Sequence, residues 1–487
     1  MSPYRGPVAA FAASFLLYLL TLAPGVTWGD SAKLVLLSWP PDPGILPGEH
    51  HLRNLAGALF HLLPWGDPAW RQNLLSATCA AGAVALAWSM TRRLTGSAWA
   101  ASIAAGALAV SHTFWHLAVI AESYAPAALL FGLQVRAALR WDETGDLRAL
   151  RGFALSLGLG AANHVLAFVL TVPFALFFLL RARGKPRPDL REAAIWAGAF
   201  LLGYAPVLWA VARHAPVHGL GESIAGVLDL EATQYLRPGV ADVVSAFAKR
   251  AVAIAAQAPG WGGLLAFAGL WAARRRHPAL FLLGGGTVAW LWLFTSMHVD
   301  LRTVYRLVPA YWILALFAGV GWREVELRRA PRTAWAAVSL ALVLALPPLV
   351  YAAAPGLVRA WRVEGGPVAA MRRLPYRDSL RYFLVPWKQG YDEPERFARA
   401  ALAQAAPDGV IVADFTPLMV LNYAQQVLGV EPGVEVAPTE SDRVKGPGLA
   451  AFAARRRSGG KRVFLADRYP GAEKLEPRGM LWEATGD

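Results

Sequence analysis

The chain is a succession of apolar segments, each close to the length that crosses a bilayer, joined by loops of which every second one is basic. A membrane helix needs about 20 mostly apolar residues. About eleven segments fit this description: 7–23, 71–91, 97–114, 118–139, 150–163, 165–181, 193–211, 256–273, 278–296, 307–322 and 333–353. The pattern predicts a mainly α-helical, polytopic membrane protein. With 56% hydrophobic and only 16% charged residues, the composition excludes an ordinary soluble enzyme.

Two of the segments, 150–163 and 165–181, are short for a full crossing. They are typical of half-helices that meet at a break. A break at membrane depth is tolerated only where it is buried in protein or lines a wet cavity. We therefore expect such a cavity near residue 164.

The basic loops set the predicted orientation. Five alternate loops together hold 17 of the basic residues, and cytoplasmic loops are the ones enriched in Lys and Arg. This places the N-terminus in the cytoplasm and the C-terminal part outside it, in a multi-pass protein of the inner or plasma membrane. Because the net charge of +14 is concentrated in such loops, we predict no nucleic-acid partner.

The C-terminal part has a different composition. Short apolar runs of strand length, such as Val410–Phe415 and Arg462–Asp467, alternate with helix-like stretches. This alternation predicts a small extracytoplasmic α/β domain at 354–487, after a transmembrane domain at 1–353. The part has no glycine-rich phosphate-binding motif, so no nucleotide chemistry is assigned to it.

The predicted outer side gathers most of the groups that can transfer protons or bind metals. Asp30 directly follows the first segment, where it is either a catalytic carboxylate or the N-cap of a helix. Glu122 stands among apolar residues, as a functional carboxylate or as the partner of an arginine such as Arg71 or Arg302.

Polar residues at two further places belong to the same predicted cleft. Asn163 and His164 sit at the junction of the two short segments, where they line a cavity or cap a helix. His50 and His51 lie in the first outer loop, and since adjacent residues do not share a helix face, we do not expect them to bind one metal together.

Arginines at the outer helix ends are the candidates for binding phosphate. A guanidinium can form paired hydrogen bonds with phosphate oxygens, although such residues also snorkel to lipid headgroups. The three candidates are Arg71, Arg302 and Arg306.

Several motifs carry a resemblance to a known family. They are the run 18–31, YLLTLAPGVTWGDS, the run 63–77, LPWGDPAWRQNLLSA, the residues 121–124, AESY, and the run 158–164, GLGAANH. The chain resembles a multispan bacterial family related to the animal transmembrane protein O-mannosyltransferase, within the GT-C superfamily of membrane glycosyltransferases. It departs from the family pattern in the stretch 40–51.

The resemblance implies a GT-C-like fold and transfer of a sugar from a polyprenyl-phosphate donor, on the extracytoplasmic face, to a protein, lipid or glycan acceptor. It implies that Asp30 is the general base, with Glu122 and His164 as further catalytic candidates. The remaining cleft lining is then His50, His51, Asn73, Asn163 and Tyr124. A divalent metal ion held by Asp30, Glu122 and a histidine is compatible with this expectation. Beyond donor and acceptor, membrane lipids are the expected partners.

Two other functions remain open at this point. A transporter or flippase for a lipid-linked or anionic substrate also has broken helices and midplane polar residues, although the two matching halves common in transporters are not visible here. A scaffold whose working part is the C-terminal domain is the other possibility.

Overall fold

The computed structural model describes residues 4–39, 50–228, 239–298, 301–329, 333–361, 373–439, 448–469, 472 and 474–485, except for the side chains of 301–303. The stretch 40–49, where the sequence departs from the family pattern, lies outside the described residues. The chain is mainly helical, with one small sheet.

The N-terminal three quarters of the chain form a helical bundle. Its helices are α1 (Arg5–Leu20), α2 (Asp30–Leu37), α3 (His51–Phe60), α4 (Pro68–Thr95), α5 (Ala98–Ala109), α6 (His112–Ala118), α7 (Tyr124–Thr144), α8 (Arg148–Asn163), α9 (Leu166–Val169), α10 (Thr171–Arg181), α11 (Leu190–His218), α12 (Leu220–Leu228), α13 (Val240–Ala255), α14 (Trp261–Arg276), α15 (Pro278–Leu280), α16 (Gly286–Ser296), α17 (Val308–Arg329) and α18 (Thr333–Ala360). A π-helical turn, Phe281–Gly285, joins α15 to α16, and a 3₁₀ helix, Leu301–Leu307, precedes α17.

Each predicted apolar segment corresponds to helix in the structure. Among the described residues, five helical stretches are long and apolar enough to cross a membrane, and three shorter apolar helices accompany them. The count of eleven crossings stays a prediction. One boundary differs: the predicted segments 97–114 and 118–139 are interrupted by the separate short helix α6.

Local sequence signals set the ends of the long helix α4. Asp67 is the N-cap, and its side chain accepts a hydrogen bond from the backbone N–H of Ala69. Pro68 occupies the first helical position, where its missing N–H is not needed. At the other end Gly96 adopts φ +70°, the left-handed conformation that glycine reaches without strain.

The centre of the bundle is α17, most of whose residues are buried. It packs against α14 through two glycines: a side chain at Gly269 or Gly321 would overlap a backbone carbonyl of the other helix. Close backbone approach through small residues is the usual way in which membrane helices gain packing energy. The spanning helices therefore hold one another rigidly around α17.

The C-terminal part is an α/β unit. It contains the helices α19 (Ser379–Leu384), α20 (Glu393–Ala405), α21 (Phe415–Gln426) and α22 (Gly448–Ser458), and the strands β1 (Val410–Ala413), β2 (Glu435–Pro438), β3 (Val463–Leu465), β4 (Leu475–Arg478) and β5 (Leu481–Ala484). The sheet order is β2-β1-β3-β5-β4, with the first three strands parallel and the last two antiparallel to their neighbours. The boundary predicted at residue 353 falls inside α18, and the division into two domains stays a prediction.

Candidate active site

The loop after α1 leads directly into Asp30. Gly29 adopts φ +66°, which favours glycine, and it is the N-cap of α2. Asp30 is therefore the first residue of the helix rather than its cap, and its side chain is half-buried.

Two buried side chains hold this loop and α2 in place. Asn73 Nδ2 donates hydrogen bonds to the backbone carbonyls of Ala23 and Gly25, at 2.9 and 3.0 Å. Arg53 Nη1 donates to the carbonyl of Leu34 at 2.8 Å, and the Arg53 side chain is only 1% exposed. Asn73 thus supports the loop through its hydrogen bonds to the loop backbone. The sequence analysis predicts it instead as part of the cleft lining.

Glu122 lies in the break between α6 and α7. It is 5% exposed, and its backbone N–H donates to Ser76 Oγ at 3.2 Å. Burial lowers the pKa of Arg53 to about 10, and the negative charge of Glu122 opposes this shift. Arg53 is therefore an arginine whose charge Glu122 stabilises, and the sequence did not single it out.

Asp30 and Glu122 converge on one group of tyrosines. The negative charges of both carboxylates act on the hydroxyl groups of Tyr124, Tyr305 and Tyr382. The two carboxylates therefore lie near the same three tyrosines, at the same end of the helical bundle. This is the convergence that the predicted active site requires.

Arg306 adds a positive charge to this space. Its guanidinium lies beside the hydroxyl of Tyr124 and acts on it both through its charge and as a hydrogen-bond donor. The ring of Tyr124 in turn stands 6.0 Å from that of Tyr305, measured between centroids. Arg306, one of the three arginines predicted to bind phosphate, therefore lies with the carboxylates.

A group of polar residues, His50, Asn163 and His164, also lies next to Tyr124. The His164 ring lies between those of Tyr124 and His50, with centroid distances of 4.8 and 5.0 Å. His50 Nδ1 donates to the Asn163 carbonyl at 2.8 Å, and Asn163 Nδ2 donates to the Ser123 carbonyl at 2.9 Å. The break after α8 is thus tied to the break that carries Glu122.

A small cavity opens at this polar group. His50, His51, Asn163 and His164 line it, together with apolar residues of α9 and α11. His51 is buried, at 4% exposure. The cavity lies at the junction where the two short segments predicted one.

Arg71 stands apart from the carboxylates. Arg71 donates from Nε to the Trp65 carbonyl at 2.9 Å and from Nη1 to the His61 carbonyl at 2.8 Å. These bonds give it a structural role in the turn that follows α3, so a role in binding phosphate has no support from its contacts. The side chain of Arg302 lies outside the described residues.

The predicted metal ligands do not form a set. In the part of the chain that the structure describes, no three His, Cys, Asp or Glu side chains are placed to hold one ion. Asp30 and Glu122 act on the same tyrosines, but no third ligand joins them among the described residues. No chemical step is therefore assigned to a metal, and a metal ion stays a prediction.

The C-terminal part covers the site, which the sequence did not predict. The backbone N–H of Lys388 donates to the Thr21 carbonyl at 2.8 Å, and Trp28 Nε1 donates to the Tyr391 hydroxyl at 3.0 Å. The rings of Trp387 and Trp115 are 5.4 Å apart. Residues 382–391, here called the roof segment, therefore fix the loop that carries Asp30.

Tyr382 is the residue of the roof segment that enters the site. Burial raises its pKa to about 12, with a further contribution from the charge of Glu122, so the hydroxyl stays protonated and can donate a hydrogen bond. Nothing in the sequence around residue 382 marks it as functional. A long-range contact of this kind has no local signal.

Comparison with known proteins agrees with the motif analysis. A family model described as the protein O-mannosyl-transferase TMEM260 N-terminal domain matches residues 47–187. The mouse protein O-mannosyl-transferase TMEM260 is 29% identical over 207 residues, which are 41% of this chain. The match covers 29% of the mouse protein, so the chain spans less than a third of that relative's length.

The fold is shared with solved structures. ArnT from Cupriavidus metallidurans in the apo state superposes with a TM-score of 0.60 at 16% identity, over 95% of this chain and 93% of that one. The structure of the same protein bound to undecaprenyl phosphate gives 0.57 at 15% identity, over 98% and 97%. The predicted resemblance is confirmed, and the chain is a mainly helical, multipass membrane protein with a GT-C-like fold.

Proposed function

We propose that the chain is a membrane glycosyltransferase that transfers a sugar from a polyprenyl-phosphate donor to an acceptor at the Asp30 site. The observation that carries the proposal is the convergence of Asp30, Glu122 and Arg306 on Tyr124. The match to an O-mannosyl-transferase and the fold shared with a protein that binds undecaprenyl phosphate support it.

The chemistry requires a base near the acceptor and a positive charge near the leaving group. An acceptor hydroxyl or amide attacks the anomeric carbon of the sugar, and the bond from that carbon to the phosphate oxygen breaks. Asp30 takes the proton from the acceptor, and the electron pair of the broken bond leaves with the polyprenyl phosphate. Arg306 stabilises the negative charge that develops on the phosphate.

The other buried groups position this pair. Arg53 and Asn73 hold α2 and its preceding loop, and the roof segment covers them from the outside. Glu122 compensates the charge of Arg53. Covering the site excludes water, which strengthens the electrostatic interactions inside it and limits hydrolysis of the donor. We propose that the active face is extracytoplasmic, as the basic loops predict.

The test is sugar transfer by membranes that contain the full chain, with radiolabelled polyprenyl-phosphate sugars as donors. We expect Asp30→Asn to reduce transfer by about 10²- to 10⁴-fold, because it removes the base. Asp392→Asn is the matched control, since its carboxylate is 58% exposed in the C-terminal part, and it should retain activity. Full activity of Asp30→Asn would defeat the assignment. Movement of the substrate across vesicles without a covalent product would favour a transporter.

A further inference from the structure

A second polar cleft lies at the opposite end of the bundle from Asp30. Its volume is about 390 Å³, and the ends of α4, α7 and α10 and the start of α15 line it. Helix α7 begins at Tyr124 in the candidate active site, and Arg136 and Arg140 follow about 18 and 24 Å further along the helix axis. The two clefts therefore face opposite sides of the bundle.

Arginines dominate the polar lining of this second cleft. Arg93, Arg136, Arg140 and Arg181 all line it, and the only acids among its lining residues are Asp142 and Glu143. Glu143 pairs with Arg93, and Asp142 pairs with Arg181. Within the described residues, neither Arg136 nor Arg140 makes an ion pair.

The unpaired arginines are four residues apart on one helix. Like charges at this spacing repel each other and destabilise a helix by a few tenths of a kcal/mol. An anion placed between two such guanidinium groups would relieve the repulsion and form charge-assisted hydrogen bonds with both. The cleft thus has the electrostatics of an anion site.

The surroundings of the cleft favour a lipid over a soluble anion. Apolar side chains, including Met90, Leu139 and Leu280, line it next to the arginines. It lies at the end of α4, one of the helices long and apolar enough to cross a membrane, where phospholipid headgroups are found. Basic pockets between membrane helices bind the headgroups of anionic lipids.

We propose that this cleft binds the headgroup phosphate of an anionic phospholipid, held by Arg136 and Arg140. The site is separate from the Asp30 site and does not depend on the proposed transferase activity. The bound lipid would fasten α7 to α4 and α15 at the side of the bundle that carries the basic loops.

The experiment compares lipid binding by full-length variants. The detergent-solubilised protein is titrated with equal amounts of phosphatidylglycerol and phosphatidylcholine, and bound lipid is counted by native mass spectrometry. We expect the unmodified chain to prefer phosphatidylglycerol about tenfold, which is the effect of one charge-assisted contact. Arg136→Gln with Arg140→Gln should abolish the preference.

Two controls make the result specific. Arg183→Gln with Arg187→Gln removes the same charge from an exposed loop on the same side of the bundle, and it should leave the preference unchanged. Arg136→Lys with Arg140→Lys keeps the charge, and its size-exclusion profile shows whether the two positions tolerate substitution. This variant should retain part of the preference for phosphatidylglycerol. The proposal is overturned if the cleft variant still prefers phosphatidylglycerol, if the loop variant loses the preference equally, or if millimolar inorganic phosphate displaces the lipid.

Discussion

The ring of Tyr382 packs edge-on against that of His116, with 5.3 Å between centroids and an interplanar angle of 85°. His116 belongs to α6 in the bundle, and Tyr382 belongs to the roof segment, so the contact crosses from one part of the chain to the other. The negative charges of Glu122 and Asp30 both act on the Tyr382 hydroxyl. The C-terminal part is thus a structural component of the site.

Removal of that hydroxyl tests this conclusion. Tyr382→Phe keeps the ring contact and removes the hydrogen-bond donor. We expect the rate of sugar transfer to fall about tenfold, which corresponds to the loss of one hydrogen bond of about 1.4 kcal/mol in the transition state. The temperature of thermal unfolding should be unchanged. Tyr376→Phe is the control, because that side chain is 46% exposed in the same part of the chain. Equal activity of the two variants would remove Tyr382 from the site.

The buried Arg53 side chain gives a prediction about stability. Arg53→Gln removes the charged hydrogen bond to the Leu34 carbonyl and a positive charge that Glu122 attracts, and loss of a charged hydrogen bond typically costs about 1.5–3 kcal/mol in the free energy of unfolding. Adding Glu122→Gln should restore part of that loss, since the charge that lost the attraction of Arg53 is gone. Chemical denaturation in detergent measures both variants. Additive losses would show that the two charges do not interact, and Arg183→Gln, in an exposed loop, should change little.

Arg306 should act on the donor rather than on the acceptor. Arg306→Gln removes the guanidinium beside Tyr124, so we expect kcat/KM for the polyprenyl-phosphate sugar to fall by about 10²-fold, as for loss of one transition-state contact to a developing charge. Arg306→Lys should recover only part of the activity, because an ammonium lacks the paired geometry. Arg396→Gln, an exposed arginine of the C-terminal part, is the control. A change confined to the KM of the acceptor would contradict the role.

The loss of stability at low pH should depend in part on His61. Burial, with the charges of Arg53 and Arg71, lowers its pKa to about 4, and Gln72 donates a hydrogen bond to its Nε2 at 2.9 Å. The stability from the neutral ring is fully present above pH 6.5, the ordinary pKa in the unfolded chain. It falls by about 1.4 kcal/mol per pH unit between pH 6.5 and about 4.

Thermal unfolding at pH 7.5 and pH 5.0 measures this dependence. His61→Gln should lose less stability between the two values than the unmodified chain does. The exposed histidine His218 supplies the control, and His218→Gln should behave like the unmodified chain. An unchanged pH slope in His61→Gln would show that another group causes the dependence.

The sequence predicted the helices well because a membrane span leaves a strong signal in composition. The sequence did not predict the break between α6 and α7 that carries Glu122. Residues 114–121 are almost continuously apolar, and a continuous apolar run has no periodicity that marks where a helix ends. Strand β4 was not predicted either, because it is not an apolar run. Its residues are mostly exposed and include Pro477, which is tolerated only because the strand lies at the sheet edge.

The site was predictable as far as its motifs extend. Asp30, Glu122, Tyr124 and Asn163-His164 come from separate stretches of sequence, and the structure brings them to one end of the bundle. Arg53 could not be singled out, because its burial depends on a long-range partner and on the Leu34 carbonyl. Its position in the chain shows only another charge in an outer loop.

The C-terminal part also limits where this chain can be divided. Val26, Trp28, Ala32 and Val35 share one apolar core with α20 and α21. A gene shortened after α18 would expose these side chains to solvent, and the loop bearing Asp30 would lose the surface against which it folds. The bundle and the α/β unit must therefore be produced as one polypeptide, and expressing the bundle alone should yield an aggregating product.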